Sequence, residues 1–267
     1  MFLTRVLTAV VGLPIVLGII LFGPRLLYAC FVEAFILLTL YEFFSIAEFK
    51  AGKSLKWVAI IGGLVLSISI VVNPDFATIP SFLIILFMAF VLLSILLKVP
   101  SSDSAHWVAF YCLGLIYIGV CLTLIIPLRD LNNGPYLVIL VLAATWANDT
   151  LAYITGKTIG RHKMAPSLSP SKTWEGFLGG LLGSILACYL MKSFFIQTID
   201  TSAAILIGLA SGIIGPIGDL FESLLKRAAG IKDSGNILPG HGGVLDRIDA
   251  LIFNIPLFYF FALWNLQ

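Results

Sequence analysis

Long apolar runs, broken by charges, prolines and glycine clusters, dominate the chain. They fall near residues 6–22, 26–49, 57–73, 79–98, 106–126, 135–156, 173–196, 201–225 and 248–265. Each approaches the roughly 20 residues that a helix needs to cross the hydrocarbon of a bilayer. The pattern predicts an all-α fold, a polytopic integral membrane helical bundle of about nine transmembrane helices. Gly23-Pro24-Arg25 reads as the turn between the first two spans. The alternative, a lipoprotein cleavage box at Leu27-Tyr28-Ala29-Cys30, is poorly served by bulky Tyr28.

Composition removes the soluble alternatives. Of 267 residues, 60% are hydrophobic and 11% charged, against about 25% charged in an ordinary soluble domain. Such a surface needs lipid to cover it. A net charge of +2 gives no field large enough for nucleic acid. Cys30, Cys112, Cys121 and Cys188 lie in apolar stretches without paired spacing, which makes them packing residues rather than a disulfide or metal set.

Charge then orients the bundle. Sorted by alternating loops, thirteen basic residues fall on one side: Arg5, Lys50, Lys53, Lys56, Lys98, Lys157, Arg161, Lys163, Lys172, Lys226, Arg227, Lys232 and Arg247. Only three, Arg25, Arg129 and Lys192, fall on the other. The positive-inside rule puts the N terminus in the cytoplasm and, with nine spans, the C terminus outside. The expected location is the cell inner (plasma) membrane. Loops before residue 130 are short and nondescript, so 1–130 reads as N-terminal transmembrane scaffold helices. Residues 131–267 read as a C-terminal catalytic transmembrane domain with cytoplasmic loops 157–172 and 226–247, both rich in Gly, Pro, Ser and basic residues.

Carboxylates at membrane depth are expensive and need a partner, a metal or a wet cavity. Glu33 and Glu42 lie in the second run; Glu42 suits either structural pairing or a site lining. Asn148 and Asp149, with Lys157 eight residues on, suggest a polar cavity. The densest group is Asp219, Glu222 and Lys226, spaced i, i+3 and i+7 on one helical face, followed by Asp246 and Asp249 at i, i+3. Two acidic faces joined by a Gly-rich loop can converge into an oxygen-only cage suited to Mg²⁺. The plainer alternative has Asp246 and Asp249 favouring a helix N-terminus and Asp219 pairing with Lys226. Capping accounts for one acid, not for all five between residues 219 and 249. His241 could serve as metal ligand, phosphate donor or loop residue. No His or Cys partner supports zinc, and Gly240, Gly242 and Gly243 would let backbone amides approach an anion.

In the other loop, Thr155-Gly156-Lys157-Thr158 looks like the end of a P-loop but fails, because Leu151 stands where the leading Gly should be. Ser169, Ser171 and Thr173 alternate with Pro170 and Lys172 just before a helix. Hydroxyls, a cation and a helix N-terminus make a phosphate receptor; simple capping is the alternative.

At 223–249 the chain resembles the integral-membrane phosphatidate cytidylyltransferases, or CDP-diacylglycerol synthases. The resemblance covers all 27 residues of that signature, including Lys226-Arg227, Lys232-Asp233, His241-Gly242-Gly243 and Asp246-Arg247-Ile248-Asp249. The stretch from Asp149 to Ser169-Pro170-Ser171-Lys172-Thr173-Trp174-Glu175-Gly176-Phe177 is similar to a second recurrent region of that family. The resemblance implies transfer of the cytidylyl group of CTP to phosphatidate at a lipid bilayer, with Mg²⁺ and room for a second cation. It assigns Asp219 and Asp246 as principal cation ligands with Asp249 as a third. Lys226, Arg227, Lys232 and Arg247 would neutralise phosphates, and Glu222 and Asp233 would order those bases. Lys172, Ser169, Ser171, Thr173 and His241 would bind substrate phosphate, with Asp149 in support. A lateral gap between helices is expected for the lipid. A transporter or a CTP-using polyprenol kinase are the rival classes. Small residues Gly179, Gly180 and Gly183 on one helix could pack against a partner, giving a homodimer, or within the chain's own bundle.

Overall fold

A computed structural model describes residues 2–46, 53–73, 79–96, 101–237 and 242–266. Apolar sequence becomes helix almost throughout. The helices are α1 (Phe2–Phe22), α2 (Arg25–Ile46), α3 (Lys53–Val72), α4 (Ile79–Leu96), α5 (Ser101–Gly114), α6 (Ile125–Asp130), α7 (Gly134–Thr158), α8 (Trp174–Phe194), α9 (Thr201–Ala228) and α10 (Leu245–Leu266). A π-helical turn, Leu115–Val120, joins α5 to α6, so that Ala105–Asp130 is one long segment. Among the described residues, seven segments are long and apolar enough to cross a membrane: α2, α4, this α5–α6 segment, α7, α8, α9 and α10. The apolar stretches Val10–Phe22 and Lys56–Val72, in α1 and α3, are shorter. Large apolar side chains such as Phe22, Ile84, Met88, Leu182 and Trp264 point outward, as expected where the surrounding solvent is lipid. The chain is a multi-pass, all-α membrane protein.

The 157–172 segment is more ordered than a loop. After α7 ends at Thr158, β1 (Lys163–Ala165) pairs antiparallel with β2 (Ser169–Thr173), Lys163 opposite Thr173 and Ala165 opposite Ser169. Pro170 favours extended backbone at Ser169, and the short alternation there is too brief to stand out beside membrane-length periodicity. Thr173 closes the hairpin and caps α8, its Oγ1 accepting the Gly176 amide at 3.1 Å. Glu175 accepts the backbone N–H groups of Arg161 and His162 and pairs with His162 Nδ1 at 2.6 Å, which fixes the path into the hairpin.

Two packing styles divide the bundle. In the first half, large rings fill the space between helices: Phe90 stacks on Tyr111 with centroids 3.9 Å apart, and Phe43 on Phe110 at 4.4 Å. In the second half, α7, α8, α9 and α10 approach through small residues. A Cβ on Gly183 of α8 would lie 2.6 Å from the Ala147 carbonyl oxygen of α7. Gly179 and Gly180 likewise face Thr155 and Asn148 of α7. The glycines behind the homodimer expectation are thus used inside one chain. The four cysteines are free, with Cys188 buried.

Pro216 shapes α9. Proline lacks an N–H and frees the carbonyl four residues earlier, here that of Gly212. Asn148 Nδ2 of α7 donates to that oxygen at 3.3 Å, which satisfies a buried acceptor at the bend and ties α7 to α9 just before the acidic face begins.

Candidate active site

The two acidic faces meet where α9 and α10 come closest. A Cβ on Gly218 would sit 2.7 Å from the Asp249 carbonyl oxygen, so the residue before Asp219 must be glycine for the helices to approach this far. Carboxylate oxygens of Asp219, Glu222 and Asp249 then lie within 4.8 Å of one another. Glu222 is 1% exposed, and its Oε1 has no hydrogen-bond partner among the described residues. Three acids in such proximity repel, and a buried anion left unpaired costs several kcal/mol. Cations at the edges offset part of that cost. Lys172 Nζ reaches Asp219 Oδ2 at 2.6 Å and the Pro216 carbonyl at 3.3 Å. Lys226 Nζ bridges Glu222 Oε2 at 2.6 Å and Asp246 Oδ1 at 2.7 Å. The Asp219–Lys226 pair of the plainer alternative does not form; these two take its place.

Asp246 stands beside the cluster in a different role. Besides Lys226, its carboxylate accepts the amides of Ser234 at 3.1 Å and Gly243 at 3.0 Å. It gathers the α9–α10 loop over the start of α10. Of the three sequence-nominated ligands, Asp219 and Asp249 come together, and Glu222 completes the group in the place expected for Asp246.

Glu42 enters from the scaffold. Its Oε2 accepts the Leu245 amide at 2.8 Å, capping α10 from a residue 203 positions away, and the Ser234 hydroxyl at 3.4 Å. The sequence left Glu42 between structural pairing and site lining, and these contacts make it a structural partner of the α9–α10 loop; a lone acid in an apolar run was the available signal.

Two cavities adjoin the cluster. One, about 350 Å³, is lined by Trp146, Asp149, Asp219, Glu222, Lys226, Asp246, Arg247 and Asp249. The other, about 620 Å³, lies between the hairpin, α7, α8 and α9, with Lys157, Lys163, Ser169, Ser171, Lys172 and Thr173 in its wall. Asp149 and Asp219 line both, so the two cavities share carboxylates in their walls, with cations beyond. Each lies within the range of small-molecule sites, about 300–1,000 Å³. Arg227 donates to the Ile231 carbonyl at 3.1 Å at the end of α9. Lys232 and Asp233 are exposed and line neither cavity. His241 lies outside the described residues.

Carboxylates convergent enough to share one cation, flanked by lysines, arginine and hydroxyls, suit chemistry on phosphates. The chain matches the model of the "Cytidylyltransferase family" over residues 3–264. A phosphatidate cytidylyltransferase of Bacillus subtilis is 39% identical over 178 residues, 66% of each chain. One of Staphylococcus haemolyticus is 33% identical over 258 residues, 95% of this chain and 96% of that one. An uncharacterized protein of Escherichia coli K12, YnbB, is 45% identical over 138 residues, 52% of this chain and 46% of that one.

Proposed function

Because the chain belongs to the cytidylyltransferase family, we propose that it is a phosphatidate cytidylyltransferase: it transfers the cytidylyl group of CTP to phosphatidate, giving CDP-diacylglycerol and pyrophosphate for phospholipid biosynthesis. The observation that carries this reading is the carboxylate cluster beside two cation-lined cavities, inside a bundle whose outer surface faces lipid. An oxygen of the lipid phosphate attacks the α-phosphorus of CTP, and the bond to the bridging oxygen breaks as pyrophosphate leaves. Both reactants are anions, so the barrier is dominated by repulsion and developing charge rather than proton removal.

The residues present fit a divalent cation: three carboxylates from two helices within reach of one ion, one of them with a buried unpartnered oxygen. Asp219 and Asp249 are the ligands we assign to Mg²⁺, with Glu222 beside them and Asp246 linked through Lys226. Bound there, Mg²⁺ would neutralise phosphate charge and hold the reacting groups in register, and a second cation belongs to the same proposal. Lys172, Lys163, Ser169 and Ser171 hold the triphosphate in the hairpin cavity. Lys226 and Arg247 neutralise the phosphates at the cluster. Thr173 contributes by capping α8, and Arg227, Lys232 and His241 by attracting anions toward the site from the α9–α10 loop. Scaffold residues 1–130 position the loop through Glu42, and 131–267 carry the chemistry.

The basic residues, thirteen against three, support an N terminus in the cytoplasm and a site open to cytoplasmic CTP at the inner (plasma) membrane. The test is incubation of purified protein with phosphatidate and CTP labelled at the α- or γ-phosphate. Label from the α position is expected in the lipid. Label from the γ position would instead make the protein a lipid kinase, and label from neither would revive the transporter reading.

A further inference from the structure

Beneath the carboxylates a polar layer crosses the bundle. Asn254 of α10, Thr145 and Asn148 of α7 and Ser211 of α9 are all buried, none more than 4% exposed. Asn254 Nδ2 donates to Thr145 Oγ1 at 2.9 Å. The Thr145 hydroxyl donates in turn to the Val141 carbonyl of its own helix at 2.9 Å, which leaves its lone pairs for α10. Gly215 of α9 completes the junction: a Cβ there would lie 3.0 Å from Asn254 Nδ2. A larger residue would push α9 off this contact.

Helix periodicity ties this layer to the site above it. Thr145 and Asp149, like Gly215 and Asp219, are i, i+4 pairs, each one turn apart on one face. Asn254 lies five residues beyond Asp249, about 7.5 Å of helix rise, and one turn from Ala250, which lines the carboxylate cavity. The junction of α7, α9 and α10 therefore sits about one turn under Asp149, Asp219 and Asp249. Both α9 and α10 also carry a proline near this level, Pro216 and Pro256, and a proline breaks the helix's own hydrogen-bond ladder. Side chains then fix what the backbone does not. Asn148 holds α9 at the Gly212 carbonyl, and Asn254 holds α10 at Thr145.

Resting on the reading of Asp219 and Asp249 as cation ligands, we propose that Asn254 and Thr145 are positioning residues for the cation site: their hydrogen bond fixes α10 against α7 one turn beneath the carboxylates, and so sets the spacing of Asp249 from Asp149 and Asp219. Hydrogen bonds between membrane helices add little to stability, so this one matters by where it sits. Convergent carboxylates repel, and helices free to slide would relax that repulsion by moving the acids apart. A cation site tolerates little such movement, because its ligands must already stand close together when the ion arrives. The tie holds them there.

Thr145→Val tests this with the smallest possible change, since it keeps the side chain's shape and removes only the hydroxyl. Mn²⁺ binding to the purified protein, followed by electron paramagnetic resonance, is expected to weaken about tenfold, and kcat to fall about tenfold. The KM for CTP and the thermal midpoint should stay near the parent values. Thr145→Ser restores the hydroxyl and should restore Mn²⁺ affinity and kcat together. Asn254→Leu should match Thr145→Val, and the double variant should be no worse than either, because both remove one bond. Parental Mn²⁺ affinity and kcat in Thr145→Val would overturn the proposal, as would a lowered midpoint with both retained by the folded fraction, or equal losses in Thr145→Ser. If the parent itself binds no Mn²⁺, the cation reading fails separately; kcat lowered in Thr145→Val and kept in Thr145→Ser then still supports the positioning role, and equal kcat in the two overturns it.

Discussion

Charged residues sit at both ends of this bundle, and the two ends use them differently. Where α1 meets α2 and α6 meets α7, every charge has a fixed partner. Arg25 pairs with Asp130 at 2.9 Å and donates to the Val71 carbonyl at 3.1 Å. Arg129 donates to the Ile20 carbonyl at 2.8 Å and the Gly23 carbonyl at 2.5 Å, with its guanidinium 4.6 Å from the Tyr28 ring centroid. Opposite charges and helix-end carbonyls satisfy one another. At the other end Asp219, Glu222 and Asp249 crowd together, and a buried Glu222 oxygen has no partner among the described residues. The first arrangement ties helix ends; the second keeps acceptors in reserve at a cost in stability, which a bound cation can offset.

Substitutions at the two ends should therefore fail in different ways. The largest effect is expected for Asp219→Asn and Asp249→Asn, with kcat lowered about 100-fold or more and the thermal midpoint unchanged or raised as repulsion is relieved. Activity near the parent level in an α-labelled CTP assay would remove these residues from the site. Arg129→Met should act oppositely. It orphans helix-end carbonyls at a cost of about 2 kcal/mol, seen as a lower midpoint in a detergent melt with per-molecule activity retained by the folded fraction. Lys172→Ala should raise the KM for CTP about tenfold through a lost charge-assisted contact, and unchanged CTP affinity would move the triphosphate elsewhere. Lys232→Ala, exposed and outside both cavities, should change the rate about twofold or less, and only at low ionic strength where steering is unscreened.

Much of this was legible in the sequence because bilayer physics is severe. Apolar runs of membrane length gave the helices, and the scarcity of charge made the window from Asp219 to Asp249 conspicuous. Placing Asp219 and Asp249 together followed from i, i+3 spacing on two helices. What spacing could not convey is which acid is claimed by a neighbour. Asp246 is drawn away by Lys226 and by amides of Ser234 and Gly243, contacts set by how the α9–α10 loop folds back. Lys172 reaches Asp219 because a hairpin too short to register as strand carries it over α9. Glu42 caps α10 from the far half of the chain, a pairing no local pattern encodes. The glycines of α8 left packing against a partner or within the bundle open as a sequence motif, and the approach of α7 shows the second.

The claim that the crowded carboxylates are a cation site is tested most directly by loading it. Mn²⁺ shares the oxygen-ligand preference of Mg²⁺ and can be counted by electron paramagnetic resonance as it binds the purified protein. The account expects Mn²⁺ to be bound by the parent, displaced by excess Mg²⁺, and lost in Asp219→Asn and Asp249→Asn while Arg129→Met keeps it in the folded fraction. Equal Mn²⁺ binding by the parent and both aspartate variants would contradict it.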